Sequence, residues 1–445
     1  MAAAGSGEGA QPLRPPQLRG IDGKGTFTHA SLAVRLPSIV KELAERLRLN
    51  APGVPSGVID ELRRLADRIA ADEPLAELKA PFNCDYNQHL RSAVAADAAA
   101  AATEEATAAA VLGGTKGEHG SALARGSWLS LPWWLTEHWA YRCILEIVRP
   151  RCGDDFDPFQ WHKKEATDHA LGSPPTGRNM VASAVPPHPL ALVLSPRSLA
   201  PLIVRSLWGN RADLSLTAGV VTAEHHSATD AVLLHDDCAA AAPLLASARS
   251  VVWVLDNCGL ELLVDLAVVA RLLARGTSVA LHCKPDPVFV SDVMPKDIPL
   301  AIEALRGCCE EGAAAAATLE SAMAAGPGAA QLSVLAHDYY VSPAEAIDMP
   351  SDVRALYAAS DMVVVKGDAN YRRVTGDRHW SALASMAGQV APWAPAPLLL
   401  LRTLKSGTLA GLTEAELSAG EALGPDWRVS GKCGVIQLVA APRSE

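Results

Sequence analysis

Val251-Val252-Trp253-Val254-Leu255-Asp256-Asn257-Cys258-Gly259-Leu260-Glu261 is an apolar run that stops at an Asp-Asn pair, turns at a glycine and continues into a helical pattern. A short run of β-branched and aromatic residues bounded in this way reads as a buried strand. A strand that feeds a helix is half of a βαβ unit. In an open α/β sheet, ligands sit outside the carboxyl ends of the strands, so Asp256 and Asn257 stand where a ligand would be met. Their carboxylate and amide oxygens are hard donors suited to a divalent cation.

The same design recurs along the chain. Short β-rich runs at 278–281, 332–335, 362–365, 398–401 and 434–439 alternate with helical patterns at 260–273, 299–306 and 351–359. This alternation implies a mostly parallel sheet whose right-handed crossovers bring strand ends to one crevice. Upstream of about residue 190 the pattern is helical instead. Apolar residues recur at helical spacing over 31–49 and 58–78, and 128–148 is an apolar, tryptophan-rich run. Residues 1–24, rich in Gly, Ala and Pro, are expected to form a disordered tail. The alanine-rich tracts 93–110 and 312–330 carry little apolar bulk and read as insertions without chemistry, and 174–189 reads as a linker. The expected fold is α/β: a three-layer α/β/α core with a mostly parallel sheet (185–445), joined to an all-helical N-terminal unit (25–184).

At 445 residues, 49% of them hydrophobic, the chain can fill two such units. Its 39 Lys+Arg against 49 Asp+Glu give a net charge of −10, which argues against a broad nucleic-acid-binding face and leaves room for a local basic pocket. The nine cysteines are scattered, with no Cys-x-x-Cys pair. That pattern suits reduced thiols in an intracellular, cytoplasmic protein better than a disulfide frame or a zinc site. The N-terminus lacks the charged and apolar regions of a secretory signal. The apolar stretch 251–273 is broken by Asp256, Glu261, Asp265 and Arg271, so no membrane span is expected.

Four polar clusters follow the predicted strands. They are Asp256-Asn257 with Glu261 and Asp265, Lys284 with Ser291-Asp292, Lys366 to Arg372, and Arg402-Thr403-Leu404-Lys405. Together they offer oxygens for a cation and basic groups plus loop amides for an oxyanion, the mixture that phosphoryl chemistry requires. Taken singly, each has a plainer reading. Asp-Asn is a turn or cap, Lys366-Gly367-Asp368 a loop, Arg402 and Lys405 a solvated strand end, and Glu261 with Asp265 a solvent face. Their joint occurrence at successive strand ends favours a site. Glu224-His225-His226 reads as a surface loop, because adjacent histidines point different ways on either regular element. His162 and His169 read as a helix face, and Trp133, Trp134 and Trp139 as core rather than a stacking platform.

These motifs resemble the metal-dependent damage-control phosphatases, in the branch also described as acidic-residue methyltransferase-like. The resemblance rests on Asp256-Asn257 through Asp265, Ser291-Asp292-Val293, Lys366 to Arg372, and Arg402-Thr403-Leu404-Lys405. Supporting matches are Leu207-Trp208-Gly209-Asn210 with Asp213, Trp133-Trp134 with Glu137 and Tyr141-Arg142, Asp157-Pro158-Phe159, and Arg35-Leu36-Pro37. Ala369 stands where a larger apolar residue is more usual. The resemblance runs over 26–439 and implies a divalent cation (Mn2+, Ni2+, Co2+ or Mg2+) on Asp256, Asn257 and Asp292. It implies a substrate that meets Gly367, Asp368, Ala369, Asn370, Tyr371 and Lys405, and substrates that are small sugar-phosphate monoesters such as fructose 1-phosphate.

Within that frame Lys366, Arg402 and Lys405 are expected to supply positive charge, with Lys405 touching the phosphate. Asp368 and Asn370 are expected to bind sugar hydroxyls, and Arg372 completes the substrate set. Asp256, then Glu261, are the candidates for general base or nucleophile. The alternative is an S-adenosylmethionine-dependent protein-glutamate carboxyl methyltransferase, an activity also attributed to this branch, although no glycine-rich loop follows the first strand. A non-catalytic scaffold would leave the polar strand ends unexplained.

Overall fold

The computed structural model describes residues 14–79, 85–112, 126–172, 198–209, 231–326 and 328–441. The expected linker 174–189, the His225-His226 pair, Asn210 and Asp213 lie outside these residues. Within them seven strands form one sheet: β1 (Val232–Asp236), β2 (Ser250–Val254), β3 (Ser278–Cys283), β4 (Leu332–Ala336), β5 (Met362–Lys366), β6 (Leu398–Thr403) and β7 (Cys433–Val439). The order is β1-β7-β6-β5-β2-β3-β4, and only the β6–β7 pairing is antiparallel. The chain runs outward from β2 through β3 to β4, then crosses back to lay β5 on the other side of β2. Strand order therefore reverses between β2 and β5, which is where an open sheet leaves a crevice. Asp256-Asn257 follows β2 and Gly367-Asp368 follows β5, so the two clusters meet at that point.

The central strands are apolar on both faces, as a parallel sheet covered on both sides requires. Val251 and Trp253 point into one apolar cluster, shared with the helices Leu199–Gly209, Cys238–Ser247, Leu260–Leu273, Asp297–Cys308 and Glu310–Met323. Val252 and Val254 point the other way, onto the helices Ser351–Ala358 and Gly367–Thr375 and the segment 380–396. The expected α/β/α layering is present. Upstream, the helices Leu36–Asn50, Ser56–Ala70, Tyr86–Leu112, Trp133–Cys152 and Gln160–Ala170 build the helical unit. Its own core, centred on Trp128, Trp133, Trp134, Trp139 and Tyr141, also takes in Val288, Phe289 and Val290 from the loop after β3.

Four expectations need correction. The tract at 312–330 is no idle insertion: the helix Glu310–Met323 buries Ala316, Leu319 and Ala322 against the sheet's helical layer. Small side chains let that helix lie close, so low apolar bulk there reflects tight packing. The other tract belongs to the helix Tyr86–Leu112, whose first turns bury Tyr86 and Leu90 and whose Asp97 pairs with Arg19. The expected tail is ordered from Arg14 onward. Leu18 is buried, its N–H donates to Asp377 O at 2.8 Å, and its carbonyl accepts from Trp133 N at 2.8 Å. Finally, β1 was not anticipated, because Val-Leu-Leu-His-Asp is short, half-exposed and at the sheet's edge.

Candidate active site

The site starts from backbone. Past the end of β2, Val293 N donates to Asp256 O (2.8 Å), Cys258 N donates to Ser291 O (2.7 Å), and Asn257 bridges Asp292 in antiparallel sense. Residues 291–293 thus run beside 256–258, and this pairing brings two carboxylates 36 positions apart in sequence to one place. Two glycines make the geometry possible. Gly259 has φ +81° and lies against Ala166 of the helical unit, where a Cβ would stand 2.9 Å from the alanine methyl. Gly367 has φ +84°, and a Cβ there would stand 1.8 Å from Asp256 Oδ2. The chain before the helix Gly367–Thr375 therefore approaches Asp256 as only glycine allows.

A narrow cleft opens above this floor, lined by Asp256, Asp292, Asp368, Ala369, Arg372, Lys405 and Phe289, and by Arg35, Trp133 and Glu137 from the helical unit. Its walls carry three cationic and four carboxylate side chains, and two of the carboxylates, Asp292 and Asp368, are paired from behind by Lys284 and Arg402. Asp292 pairs with Lys284 at 2.5 Å, and Lys284 also donates to Val288 O (3.2 Å) and lies 4.0 Å from the Phe289 ring centroid. Burial pulls the Lys284 ammonium below its usual pKa, with Asp292 opposing. Phe289 holds φ +70°, a conformation disfavoured for a bulky side chain, and it does so at the cleft wall. Asp368 is fixed through Oδ1, which accepts from Arg402 Nε (2.7 Å), Ser406 Oγ (3.1 Å) and Lys405 N (3.2 Å).

Other expected site residues lie behind the cleft. Lys366 is fully buried, and its ammonium meets Glu261 (2.9 Å), Asp265 (3.0 Å) and Ser206 O (2.7 Å). An ammonium has three donors, and these partners use them, so Lys366 does not reach a phosphate. Burial pulls its pKa down, but Asp265 and Glu261 outweigh this and hold it up. Arg402 is also fully buried, spent on Asp368, Thr408 O and Ser406, with its guanidinium carbon 4.1 Å from the Tyr371 ring centroid. Glu261 accepts from Asn257 Nδ2 (3.0 Å), and Asn257 Nδ2 donates to Asp256 Oδ2 as well (2.7 Å). Asn257 Oδ1 accepts from Ser291 Oγ (2.6 Å), so the amide's orientation follows from its neighbours. Asn370 ties Leu255 O to Lys366 O, and the Tyr371 hydroxyl donates to Ala410 O (3.3 Å). These two lock β2, β5 and the helix start together rather than lining the cleft.

Sequence reasoning missed the roles of Arg35, Glu137, Trp133 and Phe289. Trp133 is core, as expected, yet it also lines the cleft and carries the Arg372 guanidinium 3.7 Å from its ring centroid. The available signal was a charge inside an apolar run, Glu137 among tryptophans, which a purely structural helix would avoid.

Among the described residues, no group of three or more His, Cys, Asp or Glu side chains is arranged to hold a metal. The expected donor set has only two carboxylates, Asp256 and Asp292, beside the Asn257 amide. Both carboxylates are buried, face one cleft and are hard oxygen donors. That chemistry fits a divalent cation.

Fold and cleft together define an α/β protein with a mixed-charge, small-ligand cleft at the switch point of its sheet. Residues 31–419 match the damage-control phosphatase ARMT1-like domain, and the chain belongs to that family of phosphatases. It is 27% identical over 476 residues to a Danio rerio protein named damage-control phosphatase ARMT1, covering 98% of this chain and 100% of the relative. The Homo sapiens protein of that name is 27% identical over 467 residues, 95% of this chain and 98% of the relative. The Xenopus laevis one is 30% identical over 350 residues, 70% and 76%.

Proposed function

We propose that this protein hydrolyses phosphate monoesters of small sugars, fructose 1-phosphate among them, with a divalent cation (Mn2+, Ni2+, Co2+ or Mg2+). The observation that carries this reading is the meeting in one cleft of two buried carboxylates, Asp256 and Asp292, with Asp368 and the Lys405 ammonium. Hard carboxylate oxygens for a cation stand there beside an ammonium for a phosphate, the pairing that metal-assisted phosphoryl chemistry uses. Asp256 and Asp292 would hold that cation, and the Asn257 oxygen, set behind them and accepting from Ser291 Oγ, would use its second lone pair as the third donor. When bound, it supplies positive charge at the phosphoryl oxygens and lowers the pKa of a water.

The chain's own groups do the rest. Lys405 is the cleft ammonium that grips the phosphate. Arg402 acts through Asp368, whose carboxylate it holds in place, and Asp368 in turn accepts from a substrate hydroxyl. Arg372 adds positive charge at the wall. Of the two candidate bases or nucleophiles, Asp256 lines the cleft and Glu261 does not, which supports Asp256. The methyltransferase alternative finds no support in the turn after β2, where Gly259 stands alone and a nucleotide-type cofactor needs a glycine-rich loop. The eight described cysteines are all free thiols, in keeping with a reducing compartment such as the cytoplasm. No helix among the described residues is long and apolar enough to cross a membrane.

The test is Asp256→Ala. It should abolish cation-dependent phosphate release while circular dichroism shows the fold retained. Release at the wild-type rate by that variant contradicts the assignment.

A further inference from the structure

The cleft has a second wall that phosphate chemistry leaves unused. Arg35, Trp133 and Glu137 come from the helical unit, on two elements far apart in sequence, and line the same cleft as Asp368 and Lys405. Arg35 closes a π-helical turn, Ser31–Arg35, set just before the helix Leu36–Asn50. Such turns are rare and recur at functional sites. Within the turn, Arg35 Nε and Nη2 both donate to Ser31 Oγ (2.9 and 2.7 Å), which aims the guanidinium. Nη2 also donates to Glu137 Oε1 at 2.6 Å.

The other oxygen of Glu137, Oε2, accepts from Arg372 Nη1 at 2.6 Å. Arg372 is held from behind by Asp377 (3.0 and 2.9 Å) and sits 3.7 Å from the Trp133 ring centroid. One buried carboxylate thus joins a guanidinium of the helical unit to one of the α/β core. Buried charge networks of this kind return little net stability, because desolvation offsets the attraction. Its place on a cleft wall calls for a ligand.

The chemistry of the wall narrows the ligand. A guanidinium only donates hydrogen bonds, and an ionised carboxylate only accepts them. A carboxylate offers about four lone-pair sites, and the two arginine bonds leave it capacity to accept more. A second phosphate would be repelled by Glu137, and an ammonium by the two arginines. A hydroxyl donates and accepts at once, and neighbouring hydroxyls match a donor and an acceptor side by side. We propose that Arg35 and Glu137 form a hydroxyl-binding subsite, contributed by the helical unit, that reads the polyol end of a monoester whose phosphate is held at Lys405. The helical unit is then a specificity element that favours polyhydroxy monophosphates over bisphosphates and over esters without hydroxyls. This rests on the phosphatase reading above.

The experiment measures kcat/KM of the full chain, with divalent cation present, for fructose 1-phosphate and for p-nitrophenyl phosphate, which has no hydroxyl. The ratio of the two is taken for wild type, Glu137→Gln and Arg35→Gln. Losing hydrogen bonds to a charged group should lower the ratio by about tenfold or more in each variant. The loss should appear mainly in KM, and Glu137→Asp should recover part of it. If Glu137→Gln fails to fold because Arg372 loses a partner, Arg35→Gln carries the test alone. A ratio that stays at the wild-type value while the wild type is active overturns the subsite and leaves the phosphatase reading standing. A wild type that releases phosphate from neither ester overturns both.

Discussion

Replacing Gly367 with alanine would set a methyl group 1.8 Å from Asp256 Oδ2, at a backbone φ of +84°. The backbone strain costs about 1–2 kcal/mol, so the protein should fold while Asp256 is pushed off the cleft floor. We expect phosphate release to fall by about 100-fold or more, the order of effect seen when a 1 Å misplacement reaches the reacting groups. Wild-type kinetics in Gly367→Ala would remove Asp256 from the mechanism. Lys366 leads to the opposite prediction. Lys366→Met leaves Glu261 and Asp265 buried without their cation, which should cost about 3–5 kcal/mol in denaturant unfolding. A variant with unchanged stability and selectively raised KM would restore Lys366 to the phosphate. Residue type at a strand end was legible in the sequence, but direction was not. Lys366 is still in β5, two positions after Val364, and so shares its face beneath the helix Leu260–Leu273, where Glu261 and Asp265 lie. Arg402 shares the face of Leu400 in the same way. Lys405, past the end of β6, escapes the alternation and reaches the cleft. Counting parity from the apolar residues would have separated the three lysine and arginine roles.

At the scale of elements, the helix Glu310–Met323 was hidden by its alanines. Leu319→Ala should cost about 2–5 kcal/mol, as for any large-to-small change in a packed core. A cost near zero would return the tract to the status of an insertion. The sheet's first strand carries a pH-dependent contact. His235 lies 3.0 Å from Asp237 and 3.1 Å from Glu416, across to the helix Glu414–Glu421. Burial pulls the imidazole down, but the two carboxylates outweigh it and raise the pKa above its ordinary 6.5. A raised folded value means that the stabilisation is complete below about 6.5 and fades as pH rises through the folded pKa. The gap in unfolding midpoint between wild type and His235→Gln should therefore be widest near pH 6 and narrow as the pH is raised above about 6.5. A gap that widens with pH would contradict the assignment. The buried strands were readable because a parallel sheet makes them continuous apolar runs. An edge strand such as β1 has no such signature.

For the whole molecule, the two units are fastened by a strap that the sequence made look like a tail. Residues 16–22 pair with Asp377 and His379 of the α/β core and with Trp133 of the helical unit, and Arg19 pairs with the buried Asp97. Deleting residues 1–24 removes one partner of that buried pair and should cost at least about 3 kcal/mol. Full stability in the truncated chain would show the strap to be dispensable. Composition gives no warning of such a segment, because its value lies in backbone hydrogen bonds, one leucine and ion pairs with residues distant in sequence. The N-terminal helices and the later alternation of strands and helices were legible from the change of period, but the cleft was not, since it joins Arg35 and Glu137 to Asp368 and Lys405, more than 200 positions away. The most direct test of the account is phosphate release from a panel of sugar phosphates by the wild-type protein, with each of Mn2+, Ni2+, Co2+ and Mg2+ and then with chelator. The account predicts release from fructose 1-phosphate that one or more of these ions supports and that chelator abolishes. Release that persists undiminished in chelator, or none with any ion, would contradict it.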